Sequence, residues 1–541
     1  MSTVTTWWRG AVIYQIYPRS FADSNNDGLG DLKGIESKLD YVASLGVDAI
    51  WLSPIFRSPQ ADFGYDVSDY CDIEPTYGSL EDFDRLLAAA HARGLKLILD
   101  QILSHTSIEH PWFIESRSSR DNPKADWYVW ADPKPDGTVP NNWLAAFGGP
   151  AWGYWPERRQ YYHHKFYREQ PKLNLHNSQC AAAVLKAAEF WLARGVDGFR
   201  LDVANSYFHD PEPTDNPPIP ASRRGGFEWG HPPRMQHHTQ DANRPDNWKF
   251  LEALRGVVDR FPDRFIFGEI SEEPERIGEY VDKKRLHSVY AFDYLEAASL
   301  TPKLVRDAYA RSDKWPDFFP CNAFSNHDFL RVVTRWRAGQ AMEQADEALA
   351  KQLLALLFSL RGTVLLYQGE ELGLPEADIP YARVKDPVGR LYYPLTKGRD
   401  GCRTPMPWVG SANFAGFSAC EPWLPVPDVH HTHSADRQLA TRTSALNFAR
   451  KLIELRKQHS ALATGELSII PAVECQLTDD LLLFVRSASG EKIVCAFNMS
   501  SIETSATLSG VPNLILASDG AEHISASTVK LPARGFVMAR I

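Results

Sequence analysis

The stretch AAAVLKAAEFWLARGVDGFRLDV, residues 181–203, joins a helix signal directly to a strand signal. Its first part repeats apolar residues at i, i+3 and i+4, which is the spacing of an amphipathic helix. Gly195 follows the last predicted turn, where glycine commonly ends a helix. The run GFRLDV (198–203) is short and apolar, as in a buried strand. This stretch therefore predicts a helix that leads into a strand of a parallel sheet.

The same alternation recurs along most of the chain. We predict strands at 12–17, 49–54, 95–101, 198–203, 265–270, 288–294, 321–327 and 363–369. Amphipathic helical segments lie at 34–46, 80–94, 181–195, 246–261 and 345–362. Eight strands that alternate with helices favour an α/β fold with a parallel (β/α)8 TIM barrel over an open doubly wound sheet. The absence of GxGxxG after the first strand further weakens a dinucleotide-binding alternative.

Two segments depart from this alternation and predict additional domains. Residues 104–178 are rich in Pro, Gly, Trp, Tyr and His and are too long for an ordinary loop, so we expect an inserted subdomain after strand 3. Residues 460–541 contain short alternating apolar segments, which predict a C-terminal antiparallel β-sandwich. The barrel would then comprise residues 1–103 and 179–459.

Composition narrows the class of protein. Of the 541 residues, 44% are hydrophobic and 23% charged, as in soluble globular proteins. The net charge of −10, without a basic block, argues against nucleic acid and anionic membranes as partners. No signal pattern opens the chain, and no apolar run approaches the roughly 18 residues of a membrane helix. Seven scattered cysteines without CxxC favour reduced thiols over disulfides or zinc, so we expect a cytoplasmic protein.

Polar residues cluster at the predicted carboxyl ends of the strands, where a (β/α)8 barrel builds its active site. They are Asp100, His105, Arg200, Asp202, Glu269, His327 and Asp328. No Cys or Ser with a paired base lies there. Facing carboxylates with basic neighbours suit glycoside chemistry, in which one ionised carboxylate attacks the sugar and one protonated acid donates to the leaving oxygen. A third carboxylate nearby helps to keep the acid protonated.

Each of these residues also has a purely structural interpretation. Asp202 could be a loop cap paired with Arg200, Glu269 a strand-end cap, and His105 and His327 hydrogen-bonded structural histidines. Their coincidence at one barrel face favours a hydrolase, although a fold alone does not fix the chemistry.

Four stretches at these strand ends resemble the four signature regions of the α-amylase superfamily, glycoside hydrolase family 13. They are DQILSHT (100–106), GVDGFRLDVAN (195–205), FGEISEE (267–273) and FSNHD (324–328). Four further stretches resemble its α-glucosidase and oligo-1,6-glucosidase branch: WWRGAVIYQIYPRSF (7–21), FGYDVSDY (63–70), YQGEELGL (367–374) and GRDGCRTPMPW (398–408). The similarity runs in order from about residue 7 to 460, and the family's C-terminal β domain accounts for the rest.

The resemblance implies a role for each residue at the strand ends. Asp202 would be the nucleophile that forms a β-glucosyl-enzyme, and Glu269 the general acid and then base. Asp328 would stabilise the transition state and grip the sugar hydroxyls together with His327. Arg200 would hold Asp202 ionised and oriented by a charge-assisted hydrogen bond.

It also implies a substrate pocket with a closed end. Asp62 and Arg399 would bind the 4-hydroxyl of the terminal glucose and block the chain behind it, which makes the enzyme exo-acting. His105 would bond the 6-hydroxyl, and Tyr65 would stack on the ring. Two further aromatic residues, Phe147 and Phe166, either form walls of this pocket or only pack within the insert.

The expected function is therefore a retaining exo-α-glucosidase acting on short, small-molecule α-glucosides such as maltose, with transglucosylation as a competing outcome. Alternatives are an oligo-1,6-glucosidase, a glucosyltransferase or sucrose-active relative, and a non-enzymatic homologue.

Three residues bear on placement within the branch: Ser104, Lys172 and Val203. Ser104 replaces a usual Asn, and Lys172 replaces the Asp of the usual motif QPDLN. Val203 after the nucleophile tends to accompany α-1,6 cleavage, yet its neighbours do not match the oligo-1,6 enzymes closely. Linkage stays open, and we favour α-1,4.

The loop DSNNDGLGD (23–31) offers oxygen ligands at alternate positions. Its donors would be the side chains of Asp23, Asn25, Asp27 and Asp31 and the Leu29 carbonyl. An EF-hand would require Glu at the twelfth position, which is Gly34 here. The branch it resembles implies a structural Ca²⁺ or Mg²⁺ in this loop and no organic cofactor. The alternative is an Asx-rich loop without metal.

Overall fold

The eight predicted strands form one parallel sheet in the computed structural model. The structure describes residues 6–220, 235–270, 274–315, 318–337, 342–470, 480–508, 513–523, 525 and 527–541. In chain order the barrel strands are Val12–Ile16, Ala49–Leu52, Lys96–Gln101, Gly198–Leu201, Phe265–Ile270, Ser288–Ala291, Cys321–Ala323 and Thr363–Tyr367. We number them 1 to 8 below.

The strands follow one another around a nearly closed barrel. Strand 1 pairs with both strand 2 and strand 8, so Ile13 lies opposite Ala49 on one side and Leu365 on the other. The two ends of the sheet are strands 6 and 7. Ser288 Oγ on strand 6 donates a hydrogen bond to the Phe319 carbonyl just before strand 7, at 2.7 Å. The predicted (β/α)8 barrel is confirmed.

Side chains alternate between two cores along each strand. Ile13, Trp51 and Phe267 belong to a cluster inside the barrel. Val12 and Tyr14, on either side of Ile13, belong instead to the larger cluster that packs the sheet against the helices. This period of two explains why the barrel strands are apolar at nearly every position.

Some helices connect successive strands of the barrel, and others follow its last strand. The longer ones are Leu80–Ala92, Ser178–Arg194, Asp246–Val258, Pro302–Ser312, Glu347–Ser359 and Ala445–Gln458. The short ones are Leu32–Ser37, Leu39–Leu45, Asp293–Glu296, Val332–Arg335, Pro387–Tyr392, Asp428–Thr432, Ala435–Ala440 and Ser460–Ala463. The helix of the opening stretch ends at Gly195, whose φ of 108° suits glycine. The single helix predicted at 34–46 is wrong in detail, because Lys38 leaves the helical conformation and divides it in two.

The segment between strand 3 and the helix Ser178–Arg194 contains its own small sheet. It has the helix Pro111–Ser118 and the antiparallel strands Trp130–Ala131, Trp152–Trp155 and Gln160–His163. A separate two-stranded pair, Phe56–Arg57 with Asp69–Ile73, follows strand 2.

The C-terminal residues form two antiparallel sheets. One contains Glu466–Ile469, Leu481–Ala488, Glu491–Asn498, Asn513–Ala517 and Phe536–Arg540; the other contains Thr504–Thr507, Glu522–His523 and Thr528–Leu531. Leu483 and Val537 of the first sheet share a buried apolar cluster with Ala506 and Val529 of the second. The predicted antiparallel β-sandwich is confirmed.

Within the described ranges, no helix is long and apolar enough to cross a membrane. The six cysteines that the structure describes are free thiols, and Cys475 lies outside the described residues.

Candidate active site

Arg200 is the centre of a buried acidic cluster at the carboxyl end of the barrel. Its Nη1 lies 2.8 Å from Asp100 Oδ1 and 2.7 Å from Asp202 Oδ1, and its Nη2 lies 2.6 Å from Glu269 Oε2. Its guanidinium also lies over the ring of Trp51. Strands 3, 4 and 5 are neighbours in the sheet, which is why residues far apart in sequence meet on one cation.

One guanidinium facing three carboxyl groups favours a retained proton in the cluster. Burial raises the pKa of Asp202 well above its usual value, while the Arg200 guanidinium acts to lower it. Burial likewise raises the pKa of Asp100 to about 6 against the same guanidinium. Burial thus favours a protonated carboxyl group within the cluster, and the Arg200 guanidinium opposes it.

Glu269 is held by the residue that follows Asp202. The Val203 N–H donates to Glu269 Oε2 at 3.1 Å, and the Tyr290 hydroxyl donates to Oε1 at 3.4 Å. Tyr290 in turn accepts from Arg200 Nη2 at 3.1 Å. One hydrogen-bond network therefore fixes the carboxyl groups of Asp202 and Glu269 relative to each other.

Asp328 lies between one histidine and two arginines. Its Oδ1 is 3.1 Å from Arg399 Nη1 and 2.8 Å from Arg403 Nη2, and its Oδ2 is 3.2 Å from His327 Nε2. Burial acts to raise the pKa of Asp328, but His327 and the two guanidinium groups hold it well below its usual range. Asp328 is therefore an anion at any working pH.

His327 is neutral, with a defined tautomer. Burial lowers its pKa to about 3. The Gln15 amide nitrogen can only donate, and it lies 2.9 Å from Nδ1, so the ring hydrogen is on Nε2. Nε2 then donates toward Asp328 and toward the Tyr65 hydroxyl, 2.5 Å away.

Arg399 joins three loops beside the acidic cluster. Its Nη2 is 2.9 Å from Asp62 Oδ1 and 3.0 Å from Asp386 Oδ1, and its guanidinium lies 4.9 Å from the centre of the Phe147 ring. Asp62 also accepts from the Gln170 amide at 3.1 Å. These contacts tie the loop after strand 8 to the insert and to the loop after strand 2.

His105, Tyr65 and Phe166 contact one another beside this cluster. His105 Nε2 lies 3.0 Å from the Tyr65 carbonyl oxygen, and its ring centre lies 5.3 Å from that of Phe166. Ser104, which replaces the usual Asn, places its Oγ within 2.7 Å of His105 Nδ1. The Tyr65 ring is stacked on that of His327 at 5.4 Å. All the catalytic and substrate-binding residues expected from the sequence therefore lie in one continuous cluster.

Two charged residues of this cluster escaped the sequence analysis. Asp386 precedes Pro387 and accepts from the Val388 N–H, so its sequence is typical of an ordinary helix cap. Although burial acts to raise its pKa, Arg399 lowers it to about 2. Arg403 lies within GRDGCRTPMPW, four residues after Arg399. Its place in that motif could have identified it as a site residue.

The loop 23–31 is braced by its own hydrogen bonds. Asp23 accepts from the Gly28 N–H at 2.8 Å, and Asp31 caps the next helix by accepting from the Gly34 N–H at 2.7 Å. The remaining side-chain oxygens of the expected donor set also accept from N–H groups of the loop. The donor set fits a hard cation by its chemistry. The described part of the chain nevertheless contains no group of three or more His, Cys, Asp or Glu side chains placed to hold a metal ion, so the cation stays a prediction.

Comparison with known proteins agrees with this geometry. The catalytic-domain model of the α-amylase family matches residues 15–465. The chain belongs to the α-amylase family. It is a glycoside hydrolase, and relatives in the family include proteins named alpha-glucosidase and oligo-1,6-glucosidase.

Three α-amylase-family relatives illustrate the range of activities nearby. A Rhizobium meliloti (strain 1021) protein named "Probable alpha-glucosidase" is 49% identical over 99% of this chain and 97% of its own. An oligo-1,6-glucosidase of Heyndrickxia coagulans is 36% identical over 92% and 93% of the two chains. The crystal structure of an α-glucosyl transfer enzyme, XgtA, is 46% identical and superposes with a TM-score of 0.94 over 99% of both chains.

Proposed function

We propose that the protein is a retaining, exo-acting α-glucosidase that releases α-glucose from the non-reducing end of short α-glucosides. The observation that carries the proposal is the single Arg200 guanidinium that contacts both Asp202 and Glu269. A shared cation keeps the two carboxyl groups close together, and retaining enzymes use the shorter separation, about 5–5.5 Å.

In the first step, Asp202 attacks the anomeric carbon while the glycosidic oxygen takes a proton from Glu269. The bond to the aglycone breaks, and a β-glucosyl ester of Asp202 remains. In the second step, water gives a proton to Glu269 and attacks the same carbon, which releases Asp202 and α-glucose. Asp328, anionic throughout, would bind the sugar hydroxyls and stabilise the positive charge that develops on the ring.

The exo mode is supported by the ion pair between Arg399 and Asp62. Both side chains are nearly inaccessible to solvent, and Asp386 and Gln170 hold them from behind. Charged groups fixed in this way can bond the terminal hydroxyls of one glucose, and a longer chain cannot pass them. Endo cleavage would require this end of the pocket to be open.

Transfer to an acceptor other than water is the second candidate outcome. It uses the same glucosyl ester, since any hydroxyl that gives its proton to Glu269 can attack. The similarity to XgtA, an α-glucosyl transfer enzyme, supports glucosyl transfer as a second outcome alongside hydrolysis.

A substrate panel tests the proposed function. We expect higher initial rates on maltose than on isomaltose, and glucose plus maltose as the first products of maltotriose. Maltotriose blocked at the non-reducing 4-hydroxyl should be inert, because Asp62 and Arg399 would bind that hydroxyl. Cleavage of the blocked sugar would contradict exo action, and a preference for isomaltose would indicate an oligo-1,6-glucosidase.

We also propose that the loop 23–31 holds a structural Ca²⁺ or Mg²⁺ through Asp23, Asn25, Asp27, Asp31 and the Leu29 carbonyl. We expect EDTA to lower the melting temperature of the wild type, because a ligand that binds only the folded state stabilises it. Added Ca²⁺ or Mg²⁺ should restore the value.

The matched control for the cation is Asp27→Ala, which leaves the helix cap at Asp31 intact. This variant should show a smaller response to EDTA than the wild type. An unchanged melting temperature of the wild type in EDTA, measured by differential scanning calorimetry, would count against a cation in the loop.

A further inference from the structure

Lys172 is a buried cation that the acidic cluster does not use. Only 1% of its surface is exposed, and its Nζ donates a hydrogen bond to the Ser206 carbonyl. Within the described residues, no carboxylate lies at salt-bridge distance from it. Buried lysines are rarely found without a paired carboxylate, so the contact with Ser206 requires an explanation.

The backbone of Lys172 is fixed beside His105. Lys172 forms an antiparallel bridge with His105, and the Leu173 N–H donates to the Ser104 carbonyl at 3.0 Å. Two residues earlier, the Gln170 amide nitrogen contacts Asp62 and His105. The lysine side chain therefore extends from a rigid part of the insert.

The acceptor, Ser206, ends the turn that follows the nucleophile. The Ser206 N–H donates to the Val203 carbonyl at 2.8 Å, and the Ala204 N–H donates to the Glu269 carbonyl at 2.8 Å. Val203 has a φ of 38°, a left-handed conformation that is strained for a β-branched side chain. Such strain persists only where several contacts impose it.

We infer that Lys172 is a positioning residue for the reaction. Its ammonium group holds the Ser206 carbonyl, and this contact helps to impose the strained turn at Val203. That turn carries Asp202 on one side and directs the Val203 N–H to Glu269 on the other. The inference rests on the proposed roles of Asp202 and Glu269.

The electrostatic surroundings indicate that the charge of Lys172 does not stabilise the folded state. The charged and titratable groups that act on it or that it acts on are Lys165, Asp241, His105, His163 and His209. Burial, followed by the like charge of Lys165, lowers the pKa of Lys172 to about 7.

The pKa of Lys172 in the folded protein lies below the value of about 10.4 for a lysine in an unfolded chain. Below pH 7 Lys172 is therefore protonated in both the folded and the unfolded state, and its full destabilising effect on the folded state is present. It diminishes only as the pH rises above the folded pKa. Replacing Lys172 with an apolar residue should consequently not destabilise the fold at pH 6, whereas the turn would lose its restraint.

The test compares Lys172→Met, Lys172→Arg and the exposed control Lys303→Met with the wild type at pH 6, using p-nitrophenyl α-glucoside. We expect Lys172→Met to lower kcat by about 10- to 100-fold, since small displacements of catalytic groups have effects of this size. KM should change by less than about threefold, because ground-state binding is retained. The melting temperature should not fall. Lys172→Arg should recover part of kcat, and Lys303→Met should match the wild type.

Each other outcome has a definite meaning. An unchanged kcat in Lys172→Met overturns the positioning role. So does a Met variant that does not fold, or a loss of kcat that tracks a lowered melting temperature in both Lys172 variants, because each indicates a structural role only. A wild type without turnover overturns the proposed function itself, and the positioning role falls with it.

Discussion

Asp202→Asn should lower kcat for p-nitrophenyl α-glucoside by about 10⁴-fold or more, as removal of a catalytic nucleophile commonly does. The amide cannot form the glucosyl ester. The fold should persist, because the amide oxygen still accepts from Arg200 and the removed charge lies in a cluster that already has too few cations. The measurement is steady-state turnover beside a melting curve.

Added azide distinguishes the loss of a nucleophile from general damage to the site. In the truncated variant Asp202→Ala a small anion can occupy the vacated position and attack the anomeric carbon from the same face, which yields β-glucosyl azide. Asp84→Asn, on the exterior of the barrel and ion-paired with Arg194, serves as the matched control and should keep wild-type activity. Turnover of Asp202→Asn within about tenfold of the wild type would contradict its assignment, given the effect expected for a nucleophile.

Glu269→Gln should lower kcat on maltose by about 10²- to 10⁴-fold, the range typical of a lost general acid–base. The glucose expelled from maltose is a poor leaving group and requires a proton from Glu269. p-Nitrophenolate needs little protonation, so the first step with the aryl glucoside should be much less affected. The second step then becomes limiting, and a burst of p-nitrophenol is expected in stopped-flow measurements.

Azide again provides the diagnostic product for Glu269→Gln. It needs no general base and should accelerate turnover of the accumulated ester, giving α-glucosyl azide. Glu189→Gln, at a half-buried helix residue paired with Arg260, is the control and should behave as the wild type. Equal losses of rate on maltose and on the aryl glucoside, without a burst, would exclude Glu269 as the acid.

The barrel could be predicted from the sequence because its strands and helices follow regular patterns of apolar residues. Buried parallel strands are apolar runs, helices repeat at 3.6 residues, and eight such units leave few alternative folds. Asp202 and Glu269 could be located for the same reason, since a strand end marks the face of the barrel to which a polar residue belongs.

Residues on loops could not be located by such reasoning. Asp62, Arg399 and Phe147 were identified only through resemblance to a family, because a loop carries no period that says what it approaches. Asp386 was missed, since Asp before Pro is typical of a helix cap and nothing local indicates a distant arginine. Lys172 was noticed as a departure in QPKLN, but its contact with Ser206 depends on how the insert lies over strand 4, which only the tertiary structure shows.

The most direct test of the account is the configuration of the first glucose released from p-nitrophenyl α-glucoside by the wild type. Proton NMR recorded within the first minutes, before mutarotation, resolves the two anomers. Two displacements through a glucosyl ester of Asp202 predict that α-glucose appears first and β-glucose only later. Initial release of β-glucose would mean a single displacement by water and would contradict the roles assigned to Asp202 and Glu269.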